Sequence, residues 1–459
     1  MLYLFLASAA FIFLAWKRLD LAVLLIIAGT PLYLWRGDLI SLPLTFLEIM
    51  ILTGFAIWLL KGGPDFKTLF KKDKQRTAYP FRWEMIAVLL VSFGGLMVAE
   101  ISPAALGIWK AYFFEPLLLF VLIINLFSYP AGRKKIIGAL AISALAISLF
   151  AIFQQLSGLF IDNPFWQAAA TRRATSFFPY PNAVGLFLGP LILIFLGQLI
   201  NYWSSRSWAW KIFYLSTILF SLAAIVAARS EGALVGLIAG LGIFALLINK
   251  RVRLIAIVSG ILLALVLWFT PPLQEFALNK ILLKDLSGQI RRQQWQETIT
   301  MLKDGRLITG AGISAYQEAV APYHQDGIWI KTDDPDWLRN IMFTPGYREK
   351  MWQPTEIYLY PHNIVLNFWS ELGILGALLF LWIIAKAMAM AEKVSRDKND
   401  SERHLALGLL GALIVLTVHG LVDVPYFKND LAALFWIYLA LIGGLNLKSN
   451  EKNLTKSNR

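Results

Sequence analysis

A few short stretches of this mostly apolar chain hold residue types suited to chemistry. Arg229 and Glu231 stand in AARSEGALVG, and Arg172 and Arg173 open RRATSFFPYPNAVG. Arg291 and Arg292 lie in SGQIRRQQWQETITMLKDG. His362 sits between Pro361 and Asn363 in YLYPHNIVLNFWSELGILG, and His419 and Asp423 are four residues apart in HGLVDVPYFKND. Guanidinium groups fork onto phosphate oxygens and keep their charge at any accessible pH. A neutral imidazole takes the proton from an incoming hydroxyl. Arg229 and Arg291 are therefore candidates to clamp a pyrophosphate and stabilise it as a leaving group. His362 is the candidate general base. Base plus clamp describes glycosyl transfer from a lipid diphosphate donor, with no metal and no other cofactor required.

Plainer readings stand beside these. Any one of Arg172, Arg173, Arg291 and Arg292 also reads as a solvated loop charge. Arg229, between two apolar helices, needs a partner, and Glu231 offers one. His419 and Asp423 at i, i+4 also read as a helix-face contact. Glu48, Glu100, Glu115 and Glu371 read as bridges between helices. Gly310-Ala311-Gly312 reads as a turn rather than a phosphate cradle, and Asp333-Asp334-Pro335-Asp336 as an acidic turn. Four His without an H-E-x-x-H pattern give transition-metal chemistry no support. With no Cys, thiolate sites, thiol nucleophiles and disulfides are excluded.

The elements that must position these residues follow from composition. Of 459 residues, 58% are hydrophobic and 15% charged, and the mean hydropathy is +0.62. Soluble domains carry about 25% charged residues, so a set of water-facing domains is excluded, as is disorder. The chain is predicted to be an all-α polytopic bundle forming one integral membrane domain over 1–459. Apolar runs of membrane-crossing length fall at 2–16, 19–35, 39–60, 83–101, 111–128, 136–158, 182–200, 211–228, 231–248, 254–271, 362–385, 405–424 and 431–445. Gly29-Thr30-Pro31 interrupts the second, which predicts twelve or thirteen spans. The first run lacks a basic start and is followed by Lys17-Arg18, so it reads as a span with its N-terminus outside rather than a cleaved signal.

Of the 42 basic residues, 26 lie in segments 17–18, 61–82, 129–135, 201–211, 249–253, 386–404 and 446–459. The positive-inside rule makes that side cytoplasmic. The net charge of +13 is then a topology and lipid-headgroup signal rather than a nucleic-acid patch. Every chemistry-bearing stretch falls at the outer boundary. Segment 272–357 forms a large extracytoplasmic loop, long enough to carry function, and 159–181 is a second, shorter outer segment.

The outer RRATSFFPYPN, the ARSEGALVG helix start, IRRQQW followed by ITGAGISAYQEA, PHNIVLNFWSELGILG and HGLVDVPYFKND occur in that order between residues 160 and 430. In this order and on these sides the chain resembles the O-antigen ligase and polymerase superfamily of bacterial envelope proteins. The resemblance implies a GT-C-like glycosyltransferase fold in the inner membrane. It also implies transfer of a glycan from an undecaprenyl-diphosphate carrier to an acceptor at the periplasmic face. By motif match, Arg229 and Arg291 take the diphosphate, with Arg292 as the neighbouring alternative. His362 takes the base role, Arg173 ahead of Pro181-Asn182 a donor contact, and Asn363, His419 and Asp423 are supporting. Gln289-Ile290 intervene where relatives place the arginine directly after glycine.

Three acceptors fit this class. A lipid-linked core sugar defines a ligase, a carrier-linked repeat a polymerase, and a protein hydroxyl a protein O-oligosaccharyltransferase. The ligase reading comes first, on the long outer loop that ends at a histidine. A secondary transporter for a solute or anion is the alternative from another class. It would place its charges near the midplane in two related halves, whereas here they crowd one boundary. A non-enzymatic envelope scaffold explains the hydrophobicity but not the arginines and histidine.

Overall fold

The computed structural model describes residues 2–39, 42–63, 79–203, 207–325, 327–329, 334–353 and 357–457. In hydrocarbon every backbone N–H and C=O needs an internal partner, so long apolar runs become helices. The first ten are α1 (Leu2–Lys17), α2 (Leu19–Ala28), α3 (Phe46–Leu60), α4 (Arg82–Val98), α5 (Pro103–Phe127), α6 (Pro130–Ser157), α7 (Asn182–Trp203), α8 (Trp208–Ala227), α9 (Glu231–Ile248) and α10 (Lys250–Phe269). After these, α11 (Pro271–Ile281) and α12 (Leu286–Met301) belong to the long loop. The bundle resumes with α13 (Ile364–Arg396), α14 (Arg403–Gly420) and α15 (Asn429–Ser457). Each of the thirteen apolar runs becomes one helix. Among the described residues nine helices, α5 to α10 and α13 to α15, are long and apolar enough to cross a membrane, while α1 to α3 are shorter. The protein is an all-α, multi-pass membrane protein.

Several boundaries differ from expectation, among them α5, which begins at Pro103, α13, which runs on to Arg396, and α14, which ends at Gly420. Two others differ for clear local reasons. Helix α2 stops at Ala28 because Gly29 caps it and a 3₁₀ turn begins at Thr30, with Pro31 in its first turn. Helix α3 starts at Phe46 rather than at 39, because Arg36–Leu39 and Leu42–Thr45 pair as a short antiparallel ladder. Thr45 and Glu48 then form a reciprocal capping box. Glu48 also lies 3.5 Å from Lys110, which reaches Glu115 at 3.7 Å, so this pair of carboxylates does bridge α3 and α5.

Helices α7, α9 and α14 set the position of the site. Small residues let backbones approach in a bilayer. A side chain at Gly197 would strike the His404 carbonyl oxygen of α14, and one at Gly240 the Gly411 carbonyl. The close fit holds the start of α9, next to Arg229, beside the end of α14, next to Asp423. Helix α10, by contrast, has no buried residue.

Helix α13 is broken at Gly373, whose φ of 72° lies in the left-handed region. The gap is filled by residues 308–314. Ala311 N–H donates to the Ser370 carbonyl at 2.6 Å, Ile313 N–H to the Gly95 carbonyl at 3.1 Å, and Ser314 N–H to Glu371 Oε2 at 2.7 Å. A Cβ on Gly373 would run into the Ile308 carbonyl oxygen, so glycine is required there on two counts. The Gly310-Ala311-Gly312 turn is thus a plug between α4 and α13. It ties the long loop to the helix that begins just after His362. The loop also has a small apolar cluster of its own around Met301, Leu302, Tyr316 and Val320.

Candidate active site

Helix α13 begins with a tightly built corner. The side chain of Asn363 caps it, its Oδ1 accepting from the N–H groups of Val365 at 3.0 Å and Leu366 at 3.1 Å. Asn363 Nδ2 also donates to the Leu421 carbonyl at 3.1 Å. His362, one residue earlier, has φ 46°, a conformation that costs a residue bearing Cβ about 1–2 kcal/mol. The corner is held from outside as well: Trp295 Nε1 donates to the Pro361 carbonyl at 2.9 Å.

The His362 ring stands edge-on to two aromatic rings, Tyr358 at 4.8 Å and Tyr360 at 4.9 Å between centroids. Its Nδ1 lies 3.5 Å from Asp423 Oδ1, an ion-pair separation too long for a hydrogen bond, and the atom has no hydrogen-bond partner among the described residues. The imidazole is 17% exposed and the carboxylate 2%, so the histidine offers one edge outward with the acid behind it. Burial works to raise the Asp423 carboxyl. His362, His419 and the Val424 N–H outweigh it and hold the group well below the usual carboxylate range.

Asp423 is also the end of a polar chain. Its Oδ2 accepts from Asn182 Nδ2 at 3.1 Å, and Asn182 Oδ1 accepts from Arg173 Nη2 at 2.9 Å. Arg173 in turn donates to two carbonyls of the α8–α9 turn, through Nε to Ala228 at 2.9 Å and through Nη2 to Arg229 at 3.3 Å. Hydrogen bonds therefore join the Arg229 backbone to Asp423, and the 3.5 Å ion-pair contact carries the path on to His362. Burial pushes the Arg173 guanidinium down, Glu231 pulls it up, and the charges of Arg229 and Arg291 push it down again. The three arginines thus share one neighbourhood.

Arg229 has φ 49° and an exposed side chain. Among the described residues it makes no ion pair, and Glu231 is engaged elsewhere. Lys280 pairs with Glu231 at 2.8 Å and with Asp285 at 2.9 Å. Asp285 caps α12 by accepting from Gly288 N–H at 3.2 Å. Lys280 thereby stitches the start of α9 to the start of α12. On α12, Ser287, Arg291 and Trp295 follow one another at i, i+4 and i+8 and so share a face. Arg291 Nη1 donates to Ser287 Oγ at 2.7 Å, and Trp295 reaches the His362 corner. Arg292, one position on, is turned about 100° around the helix and is exposed.

Other candidates fall out of the cluster. Arg172 donates to the carbonyls of Gln167 and Gln155 and closes its own loop. His419 is buried against Gly232 of α9. Among the described residues no hydrogen bond or ion pair joins it to Asp423, because α14 ends at Gly420 and the acid turns toward His362. Asn182, Trp295, Tyr358, Tyr360 and Lys280 were not singled out from the sequence. Trp295 alone left a usable signal, one helical turn after Arg291. Asp334 accepts from Asp336 N–H and Asn340 Nδ2 as an acidic turn does, while Asp333 lies outside the described residues.

A comparison with curated proteins found no match. The family described as O-antigen ligase, whose members are glycosyltransferase or ligase-type enzymes, matches over residues 216–381. That stretch holds Arg229, Arg291, Arg292 and His362, and this match places the segment in the O-antigen ligase and polymerase superfamily.

Proposed function

We propose that the protein transfers a glycan from an undecaprenyl-diphosphate carrier to an acceptor hydroxyl at the periplasmic face of the inner membrane, as an O-antigen ligase does. The observation that carries the reading is the polar path from the Arg229 turn through Arg173, Asn182 and Asp423 to His362. With Asp423 facing Nδ1, the ring keeps its proton there and leaves Nε2 as the acceptor. The acceptor hydroxyl gives its proton to Nε2 while its oxygen bonds to the anomeric carbon. The bond from that carbon to the phosphate oxygen breaks, and its electron pair leaves with the lipid diphosphate. Arg229 and Arg291 neutralise the growing charge. Two guanidinium ions meet that need without a divalent metal.

Roles divide by what each side chain already holds. Arg229 is uncommitted among the described residues, and Arg291 shares its helix face with Trp295, so these two form the clamp rather than Arg292. Arg173 spends Nε and Nη2 on the α8–α9 turn and Asn182, and so positions Arg229 while adding charge. The O-antigen ligase description of the family matched over residues 216–381 supports glycosyl transfer, and the ligase reading is kept ahead of polymerase on the long outer loop that ends at His362.

The test is transfer by the purified protein in nanodiscs, supplied with a polyprenyl-diphosphate glycan and a lipid-linked core sugar. His362→Ala is expected to lower the rate at least ~10²-fold with insertion unchanged. Wild-type turnover in that variant would remove the base assignment. Product that extends the donor glycan without using the core sugar would make the protein a polymerase.

A further inference from the structure

Lys428 closes the loop that follows α14, five residues after Asp423. Its Nζ is buried and has no hydrogen-bond partner among the described residues. Instead it stands over three rings, at 4.7 Å from Phe178, 4.9 Å from Tyr180 and 5.4 Å from Tyr33. A buried ammonium loses its water, and ring faces compensate by attracting the cation more strongly than they would in solvent. Burial pushes the Lys428 ammonium below its ordinary value, and Asp430, also buried and without a hydrogen-bond partner for either side-chain oxygen among the described residues, pulls it back up, as does Asp423.

The cage is informative because of where its rings come from. Phe178 and Tyr180 belong to the segment that begins with Arg173 and ends at Asn182. That segment holds the Arg229 turn at one end and Asp423 at the other. Tyr33 comes from the 3₁₀ turn after α2. The loop from Leu421 to Lys428 therefore meets the arginine segment twice, once through Asp423 and Asn182 and once through Lys428 and its rings. The loop has its own anchor, since Tyr426 Oη donates to the Tyr112 carbonyl at 2.8 Å.

We propose that Lys428 is a positioning residue of the transfer site, its caged ammonium fastening the segment that carries Arg173 to the loop that carries Asp423. The inference rests on the glycosyl-transfer reading for its kinetic consequence, but the clamp itself is a statement about two segments. Lys428→Met keeps length and apolar bulk and removes the charge. Lys428→Arg keeps a cation that stacks on rings.

The experiment combines steady-state transfer with amide hydrogen exchange on the full chain in nanodiscs. Lys428→Met is expected to lower kcat about 10- to 100-fold, the scale of a small misplacement of catalytic groups, and to speed exchange in peptides covering 173–182. Lys428→Arg is expected to restore both to within about 3-fold, a cation–π contact being tolerant of the cation's identity. Tyr180→Leu, which leaves the lysine in place, is expected to reproduce the loosening of 173–182 and serves if Lys428→Met does not fold. Wild-type kcat in Lys428→Met, or unchanged exchange at 173–182 in both Lys428→Met and Tyr180→Leu, overturns the proposal. A wild-type protein with no transfer activity sinks the glycosyl-transfer reading, and the exchange data still decide the clamp.

Discussion

The indole N–H of Trp295 donates to the carbonyl oxygen of Pro361 at 2.9 Å, one helical turn after Arg291 and one peptide before His362. A single hydrogen bond thus couples the helix bearing a candidate clamp to the corner bearing the candidate base. Trp295→Phe keeps the ring and removes the donor. It is expected to cost about 0.5–1.5 kcal/mol of stability, visible as a modest fall in thermal midpoint, with a larger fall in kcat than in donor affinity. Equal losses in kcat and donor affinity would mean that the contact serves folding only.

Asp423 gives a prediction with a definite pH window. Its carboxyl is held low in the fold, so its contribution to stability is fully present above the unfolded value of about 3.9. That contribution is lost only as pH falls through the lower folded value. Asp423 therefore stays ionised from pH 4 to 8, and any acid limb of the rate in that range belongs to another group. Asp423→Asn is expected to lower kcat by about 10²-fold or more, because the ring loses the partner that sets its tautomer. A pH–rate profile of this variant that matches the wild type in height and shape would separate Asp423 from the chemistry.

The arginines are expected to respond to the shape of the cation and not only its charge. Arg229→Lys and Arg291→Lys should each raise donor KM or lower kcat about 10-fold or more, since an ammonium does not fork onto two oxygens. Arg292→Lys should stay within about 2-fold, as expected of an exposed charge. The reverse order among 291 and 292, measured with one donor preparation, would turn α12 by one residue relative to the site.

Metal removal supplies an independent check. Activity in excess chelator is expected to equal activity in added magnesium, because in the proposed step guanidinium charge neutralises the leaving group. A chelator-sensitive rate restored by a divalent ion would call for carboxylate ligands that the proposed mechanism does not use.

Much of the candidate site was legible because charge is rare in an apolar chain. Arg229, Arg291 and His362 stand out by type, and their common boundary follows from counting charges loop by loop. What the sequence hid was decided at a distance. Nothing local distinguishes Arg172 from Arg173, yet one closes its own loop and the other spans to Ala228 and Asn182. The spacing of His419 and Asp423 suggests a helical pair. The helix stops between them at Gly420, which is pressed against Ile364 and Pro425, so the glycine and the proline beyond it were the local signal that the spacing argument passed over. The two glycines at 310 and 312 do announce a turn, but its docking into the break of α13 depends on Gly95 and Gly373, hundreds and tens of residues away.

The backbone of His362 has a consequence for selection. At φ 46° only glycine is at ease, so His362→Gly is expected to relax the corner, offsetting by about 1 kcal/mol some of what the lost ring contacts cost, while abolishing turnover. Loss of turnover in His362→Gly together with an unchanged or raised thermal midpoint would mark His362 as held for its side chain at the expense of the corner's backbone.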